Sequence, residues 1–338
     1  MLKFRNLVIE RLLDKLREIY IGNFNKKLVF ENLDEIKFKT IAKTIKLSIK
    51  LNTKDEYVEI LNADNRIYYG KNNNYLNSGD YTPLILNIDN TKDIIIKAVN
   101  ISHFNCSNNS IKKLDLSKAK HLSWLECNNN LLMDLDFSNN SYIYNINCAN
   151  NKQLLNIDFG GIKPGTVFLH CSNTGISTLK LNNLPNLQVV SCFDCSNLSN
   201  IDISENKELT LLVCDNCSLS NLSIYNNKKL YNLSCSNNKI ESLDIKNNSN
   251  LVFLNCGKNK LTTLDVSNNF KIIRIDCYNN LFDSNALISL LNQLLKIESG
   301  KNKYFSINRN THSNLTSPKE LVNAISKLEE KGWKMFYM

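Results

Sequence analysis

The sequence predicts a repeat solenoid in which short β-strands stack in parallel, and its cysteines and asparagines are the observations that predict it. The 338-residue chain contains 11 Cys and 57 Asn. Nine of the cysteines follow one another at intervals of 21 to 23 residues. A fixed period of this length is typical of a solenoid, because each repeat is one unit that stacks on the next. The nine periodic cysteines are Cys106, Cys127, Cys148, Cys171, Cys192, Cys214, Cys235, Cys256 and Cys277.

Each interval consists of two similar halves. The unit from Leu122 to Asn140 reads LSWLECNNNLLMDLDFSNN, so the pattern L-x-x-L-x-(L/C)-x-x-N occurs in it twice. The same pattern fits residues 251–269, and the regularity covers residues 101–282. Alternation along a strand places the first and third residues of an L-x-L or L-x-C segment on the same side. The sequence therefore predicts about nine coils whose leucines and cysteines point inward.

These motifs resemble those of the leucine-rich-repeat family, and more narrowly its bacterial or phage subclass with nested 21-residue repeats, L-x-x-L-x-C-x-x-N-x-L-x-x-L-D-L-x-x-N. The resemblance implies a right-handed coil of parallel strands in which buried Asn side chains form a ladder along the turns. A buried Asn amide both donates and accepts, so it can bond turn groups that would otherwise lack partners. The predicted ladder positions, three residues after each cysteine, hold Asn109, Asn130, Asn151, Thr174, Cys195, Cys217, Asn238, Asn259 and Asn280.

Two ladder positions allow a second interpretation. The pairs Cys192-x-x-Cys195 and Cys214-x-x-Cys217 have the spacing of a zinc ribbon. Both pairs are also in register with a repeat that predicts a small inward side chain at each position, and a buried Cys behaves as a small hydrophobe. We therefore expect no metal. An unbroken column of cysteines also fits a reducing or inert interior better than a disulfide framework.

The strand that contains the cysteine carries an unusual outward column of apolar residues. Contiguous exposed apolar residues tend to mark a contact surface, so this side is the predicted binding face. The alternative is that a cap, a neighbouring subunit or the geometry of the coil buries these side chains. The candidate binding residues are Trp124, Phe168, Val189, Phe193, Leu211, Phe253, Arg274 and Tyr278.

The second half of the repeat carries a column of aspartates between its inward residues. Stacked carboxylates suggest calcium, but a calcium site needs about six to eight convergent oxygens. An Asp beside a turn accepts local backbone hydrogen bonds, and this Asp also belongs to the consensus of the resembled family. We therefore expect a structural role for Asp115, Asp136, Asp158, Asp202, Asp244 and Asp265.

Catalytic motifs are absent from the sequence. The four histidines form no H-E-x-x-H, and no G-x-S-x-G, Walker or dinucleotide-binding glycine pattern occurs. His170 and Cys171 are adjacent, but alternation sends their side chains to opposite faces. The net charge of +9 is spread over the chain rather than concentrated on one face, so we expect no nucleic-acid partner. We predict a protein that is not an enzyme and that needs no cofactor.

Two segments precede the repeats. Residues 1–38 are predicted to form an amphipathic helix, over 3–20, and a linker. This helix either packs on its own domain or serves as a docking or oligomerising helix. Residues 39–100 predict a small β-domain that shields the first coil, with strands at 44–51, 57–61, 67–69, 84–88 and 94–99. The layout is similar to the β-module that often precedes such repeats, although its W-G-D-G turn is missing.

Residues 283–338 are predicted to form an α/β C-terminal cap. A helix is predicted over 286–295, and a second starts at Ser317-Pro318-Lys319-Glu320 and runs to Gly332. Ser is a favourable helix cap, Pro suits the first turn, and the Glu completes a capping box. The segment Lys331-Gly332-Trp333 is similar to the K-G-W of terminal caps in such proteins, so we expect the chain to end with its cap.

Together these observations predict a recognition protein that contacts a protein or glycan partner through its solenoid surface. Two alternatives are a phage virion protein, in a tail or receptor-binding role, and an intracellular bacterial scaffold or effector. Charged residues interrupt the N-terminal segment, and no run of about 20 apolar residues occurs. We therefore expect no signal peptide, no transmembrane helix and a cytoplasmic or virion-associated location.

Overall fold

A computed structural model shows a β-solenoid with a short cap at each end. The residues that the structure describes are 33–51, 57–61, 67–69, 84–88, 93–98, 100–162, 165–294, 303–307 and 318–337. The helix predicted over residues 3–20 lies outside them. Neither described helix is long and apolar enough to cross a bilayer.

Six strands of the described part of the chain form the N-terminal cap. They are β1 (Asp34–Thr40), β2 (Thr44–Leu51), β3 (Tyr57–Leu61), β4 (Ile67–Tyr69), β5 (Leu84–Asn87) and β6 (Ile94–Ala98). Strands β2 to β6 coincide with the five predicted strands to within one residue. The predicted boundary at residue 38 differs from the structure, because β1 begins at Asp34. The reason is the alternation of DEIKFKT, which buries Ile36 and Phe38.

Fourteen strands follow within the repeats. They are β7 (Ile101–Asn105), β8 (Ile111–Asp115), β9 (Trp124–Glu126), β10 (Asp134–Asp136), β11 (Asn145–Asn147), β12 (Asn156–Asp158), β13 (Phe168–His170), β14 (Thr178–Lys180), β15 (Val189–Ser191), β16 (Asn200–Asp202), β17 (Leu211–Val213), β18 (Asn232–Ser234), β19 (Phe253–Asn255) and β20 (Arg274–Asp276).

The nine strands that precede the periodic cysteines are neighbours in one 13-stranded sheet, in the order β20-β19-β18-β17-β15-β13-β11-β9-β7. They pair in parallel, and at about 4.8 Å per strand they extend over about 40 Å. Strands in the second halves are fewer, and β10–β12 and β14–β16 form two short parallel pairs. The prediction of a repeat solenoid with stacked parallel strands is confirmed.

The inward leucines and cysteines form a single core. In the unit quoted above, Leu125, Cys127, Leu132, Leu135 and Phe137 are all buried. This core is continuous from the N-terminal cap through the coils to the C-terminal cap. The stacking of neighbouring coils therefore buries side chains that one repeat could not bury alone.

The N-terminal cap continues both sides of the solenoid. Strand β2 pairs antiparallel with β7, and β1 pairs antiparallel with β8. A buried carboxylate fixes the junction, because Asp34 accepts a hydrogen bond from the backbone N–H of Ile101 at 2.7 Å. The strand edges of the first coil are thereby paired rather than left open.

The C-terminal cap contains α1 (Ser284–Leu294), β21 (Lys303–Ile307), α2 (Pro318–Glu330) and β22 (Trp333–Tyr337). Strands β21 and β22 continue the large sheet in parallel beyond β20. Helix α1 begins two residues before its predicted start, because Asp283 Oδ1 accepts the N–H of Ala286 at 2.7 Å and caps it. Gln293 on α1 accepts the N–H of Val266 at 2.7 Å and so closes the second half of the coil that contains Cys256.

Candidate binding face

The nine periodic cysteines form one inward column behind the large sheet. Their side chains are at most 1% exposed. All eleven cysteines are free and buried. Burial raises the pKa of the column thiols, that of Cys256 to about 12. These side chains therefore remain thiols at neutral pH, and they fill the core rather than act as nucleophiles.

The predicted Asn ladder joins successive coils. Asn130 Nδ2 donates to the carbonyls of Cys106 at 2.9 Å and Cys127 at 3.0 Å, and its Oδ1 accepts the N–H groups of Asn109 and Ile111, both at 3.0 Å. One side chain thus satisfies turn groups in two coils. Each of the other ladder asparagines in the repeats donates through Nδ2 to the carbonyl of the cysteine in its own coil and to that of the cysteine in the preceding coil. These asparagines are Asn151, Asn238, Asn259 and Asn280.

The ladder ends in the N-terminal cap. Asn109 exchanges two hydrogen bonds with the backbone of Lys46 in β2, at 2.7 and 2.8 Å. Thr40 Oγ1 also donates to the carbonyl of Asn109. The cap therefore supplies the backbone groups that a preceding coil would supply.

Cys195 and Cys217 occupy ladder positions, as the repeat register predicts. The thiol of Cys195 donates to the carbonyl of Cys171, and that of Cys217 donates to the carbonyl of Cys192, both at 3.3 Å. A thiol makes fewer hydrogen bonds here than an Asn amide makes. In the part of the chain that the structure describes, no group of three or more His, Cys, Asp or Glu side chains is arranged to hold a metal ion.

A column of left-handed residues, which the sequence pattern did not predict, lies in the same turns. The residue two positions after each periodic cysteine has a positive φ, between 52° and 61°. Asn tolerates this conformation because its side chain bonds locally. The column holds Asn108, Asn129, Asn150, Asn173, Asp194, Asn216, Asn237, Lys258 and Asn279. It accounts for a further part of the Asn excess.

A second set of buried asparagines lies at the last position of the second half of the repeat. Asn227 Nδ2, for example, donates to the carbonyls of Ile203 at 3.0 Å and Asn206 at 2.8 Å. Every member of the set is 0% exposed, and the members are Asn140, Asn206, Asn227, Asn248 and Asn269. Both halves of the repeat therefore use Asn to bond turn carbonyls across coils.

The predicted outward column is continuous in the large sheet. The strand register pairs Trp124 with Asn145, Asn145 with Phe168, and Phe168 with Val189. It continues from Val189 through Leu211, Asn232 and Phe253 to Arg274. Six of the eight candidate binding residues thus lie in one column, and Phe193 and Tyr278 lie in another, directly after their cysteines.

Neighbouring aromatic rings hold this column in place. His103 stacks on Trp124, with 5.6 Å between ring centroids. Tyr144 packs edge-on against Trp124, and Tyr231 packs edge-on against Phe253, also at 5.6 Å. Burial and the nearby Lys50 lower the pKa of His103 to about 4, so this ring is neutral at physiological pH. Six of the eight candidate residues are half-buried, and Phe193 and Arg274 are exposed.

We define the strand face as four positions in each of the nine coils: four, three and one residue before the periodic cysteine, and one residue after it. Its charged residues other than histidines are Glu126, Asp215, Arg274 and Asp276. Arg274 Nε donates to Asp276 at 2.7 Å, and Trp124 Nε1 donates to Glu126 at 3.0 Å. Fourteen described lysines lie between residues 101 and 282, and none occupies the strand face.

The aspartate column of the second halves bonds its own turns. Asp202 Oδ1 accepts from the N–H of Ser204 at 3.1 Å and from its hydroxyl at 2.7 Å. The hydrogen bonds from Ser204 hold the pKa of Asp202 below its usual value. A backbone N–H two residues on bonds each of the other predicted members, which are Asp115, Asp136, Asp158, Asp244 and Asp265. These contacts support the predicted structural role.

Several solved leucine-rich-repeat structures are similar to this chain. The functional domain of InlJ from Listeria monocytogenes, which includes a cysteine ladder, is 22% identical, with 62% of this chain and 49% of that chain covered and a TM-score of 0.48. An internalin, InlF, from Listeria monocytogenes is 13% identical, with 70% and 87% covered and a TM-score of 0.40. YopM from Yersinia enterocolitica is 22% identical, with 53% and 42% covered and a TM-score of 0.39.

This chain spans about half the length of the InlJ domain, 49%. No protein-family model and no curated protein matches the sequence.

Proposed function

We propose that this leucine-rich-repeat solenoid is a non-enzymatic binding protein whose strand face contacts a protein partner. One observation carries the proposal: the strand face concentrates aromatic and aliphatic side chains and holds no lysine, in a chain with 41 Lys and Arg. Protein interfaces are enriched in aromatic residues and depleted in Lys. The composition of the strand face therefore differs from the rest of the surface in the direction that an interface requires.

The geometry supports the same proposal. The outward columns are anchored on paired strands, and ring contacts also hold Trp124 and Phe253, so these side chains lose little freedom when a partner binds. Low ordering cost leaves more of the contact energy available for affinity. A length of about 40 Å also offers enough surface for a standard protein interface.

Peptide display on phage tests the proposal without a known partner. Random peptides are selected against the full chain, and the dissociation constants of the selected peptides are measured for Trp124→Ser and Phe168→Ser variants. We expect each substitution to weaken binding about tenfold or more, because central aromatic anchors dominate interface energetics. Circular dichroism melting confirms that each variant remains folded.

Two exposed aromatic residues outside the strand face provide matched controls. Tyr225 and Phe270 are each 63% exposed, so Tyr225→Ser and Phe270→Ser remove a ring of comparable size elsewhere on the solenoid. These controls are expected to leave peptide binding unchanged. Peptides that respond equally to all four substitutions, or to the controls alone, would contradict the proposal.

A glycan partner is the other outcome that the same variants can detect. An array of defined oligosaccharides, probed with the full chain and the Phe168→Ser variant, replaces the peptides in this arm. If an oligosaccharide binds in a way that depends on Phe168, and no selected peptide binds the strand face, the strand face remains the binding site. The proposal of a protein partner is then wrong.

A further inference from the structure

Two side chains converge on the strand face in the last four coils. Asp215, Ser236, Gly257 and Tyr278 occupy the position after the periodic cysteine in successive coils. The carboxylate of Asp215 reaches forward by one coil, where Oδ1 accepts from the N–H of Ser236 at 2.7 Å, from its hydroxyl at 2.6 Å, and from the hydroxyl of Ser234 at 2.7 Å. Asp215 therefore places its charge at the level of the next coil.

Tyr278 reaches backward by one coil. A Cβ atom on Gly257 would lie 2.8 Å from Tyr278 Cε1 and 3.0 Å from Cδ1 and Cζ, so the ring covers the space that a side chain at 257 would fill. The ring of Tyr278 and the carboxylate of Asp215 thus lie at the levels of adjacent coils, which are about 4.8 Å apart. Burial, Asp276 and Asp215 together raise the pKa of Tyr278, which is consistent with this proximity.

The charge of Asp215 is not neutralised within the described part of the chain. Its three hydrogen-bond donors are uncharged, and no described cation forms an ion pair with it. Asp276, by contrast, is paired with Arg274 at 2.7 Å. No lysine occupies the strand face, so a half-buried carboxylate and an aromatic ring stand together without a cation of their own.

We propose that Asp215 and Tyr278 form a subsite for the basic side chain of a protein partner, an Arg or Lys that the carboxylate pairs with and the ring faces. A cation is attracted both to a carboxylate and to the face of an aromatic ring. The subsite deepens the proposed binding function and rests on it. The partner therefore carries a basic residue that contacts the coils of Cys235 and Cys256. Its apolar groups contact the outward column beside them.

A double-mutant cycle tests the subsite with peptides selected as above. The basic residue of a selected peptide is replaced by a neutral isostere, citrulline for Arg or norleucine for Lys, and dissociation constants are measured for the wild type and for Asp215→Asn. The Asn side chain keeps an oxygen that can accept from Ser236, so the local structure is retained. We expect the neutral peptide to bind the wild type about tenfold more weakly and to bind Asp215→Asn no more weakly than the basic peptide.

Two further variants separate the subsite from general charge effects. Asp244→Asn removes one negative charge from the second halves of the repeats. In this variant the neutral peptide should still bind about tenfold more weakly than the basic peptide. Gly257→Ala displaces the Tyr278 ring without deleting it, and it should weaken the basic peptide as Tyr278→Ala does.

The outcomes distinguish the two proposals. Peptides that require Phe168 but contain no basic residue, or whose basic residue shows no coupling to Asp215, overturn the subsite and leave the binding function standing. Peptides that do not depend on Trp124 and Phe168 overturn both. Binding of an oligosaccharide to the wild type that disappears in Tyr278→Ala would show that Tyr278 contacts a sugar rather than a basic side chain. This result would likewise overturn the subsite.

Discussion

Asn259 bonds to Cys235, a residue one full coil away: its Nδ2 donates to the Cys235 carbonyl at 2.9 Å. The same amide donates to Cys256 at 3.1 Å and accepts the N–H of Ile240 at 3.0 Å. One side chain therefore bonds three backbone groups in two coils, and the two carbonyls are shared with the neighbouring ladder residues Asn238 and Asn280. The Asn259 amide therefore holds neighbouring coils together through hydrogen bonds.

Replacing Asn259 by Ala should destabilise the chain strongly. The substitution leaves the N–H of Ile240 without its partner and removes one of two ladder hydrogen bonds from each of the Cys235 and Cys256 carbonyls, so the expected loss is about 3 kcal/mol of unfolding free energy. Equilibrium urea unfolding followed by circular dichroism measures it. Asn221→Ala at an exposed position is the control, with an expected change within about 0.5 kcal/mol. Equal effects of the two substitutions would disprove the role of the ladder.

Lys258 should be replaceable with a gain in stability. Its φ of 53° lies in the left-handed region, where seven of the nine residues of its column are Asn and one is Asp. Because Asn tolerates this region better than Lys, Lys258→Asn should raise the free energy of unfolding by about 0.5 to 1 kcal/mol. Thermal melting compares it with Lys239→Asn, an exposed lysine outside the column, for which no gain is expected.

The buried thiols should make the chain sensitive to alkali. Burial raises the pKa of Cys256 from 9.0 to about 12, and the other column thiols shift in the same direction. An acid whose folded-state pKa is raised contributes stability below its unfolded pKa and loses it as pH rises. The urea midpoint should therefore fall between about pH 9 and pH 12. A midpoint that is constant over this range would contradict the burial of the column.

A thiol-specific disulfide reagent gives an independent measurement of the same column. The native chain should react slowly at pH 8, and all eleven thiols should react in denaturant. Rapid modification of the native chain would show that the cysteines are accessible.

Asp34 should be essential for docking the N-terminal cap. Its buried carboxylate accepts the N–H of Ile101 at 2.7 Å and contacts His121 Nδ1 at 3.1 Å. Asp34→Ala leaves the buried N–H unpaired, so we expect a loss of about 2 kcal/mol and faster proteolysis within the cap. Asp93→Ala, which removes an exposed carboxylate that pairs with Lys37, should change the free energy of unfolding by less than about 0.5 kcal/mol.

The sequence predicted the features that depend on period alone. Cys127 and Asn130 could be placed because a residue that recurs with the coil length must occupy the same place in each coil. The left-handed column was missed, although the doublet Asn129-Asn130 contains one Asn more than the ladder needs. Strand β1 was missed although Lys37 alone separates Ile36 from Phe38 in an alternating segment, and its pairing with β6 and β8 identifies its inner side.

The candidate face could be predicted as columns but not as contacts. Alternation places Trp124, Phe168 and Phe253 outward, yet it cannot show that Tyr231 packs on Phe253, because that contact joins different positions of neighbouring coils. The convergence of Asp215 and Tyr278 depends on rotamers and on the absence of a side chain at Gly257. These details follow from three-dimensional packing, which a repeat pattern does not specify.

The backbone of Lys46 completes the ladder at one end, and Gln293 bonds the second half of the eighth coil at the other. These two attachments lie in the first and eighth coils, so duplication or deletion of a coil between them should leave both attachments unaltered. Each such event would change the length of the strand face by about 4.8 Å. Variation among descendants of this gene is therefore expected to alter the length of the strand face in whole-coil steps, while substitutions in the outward columns alter its chemistry.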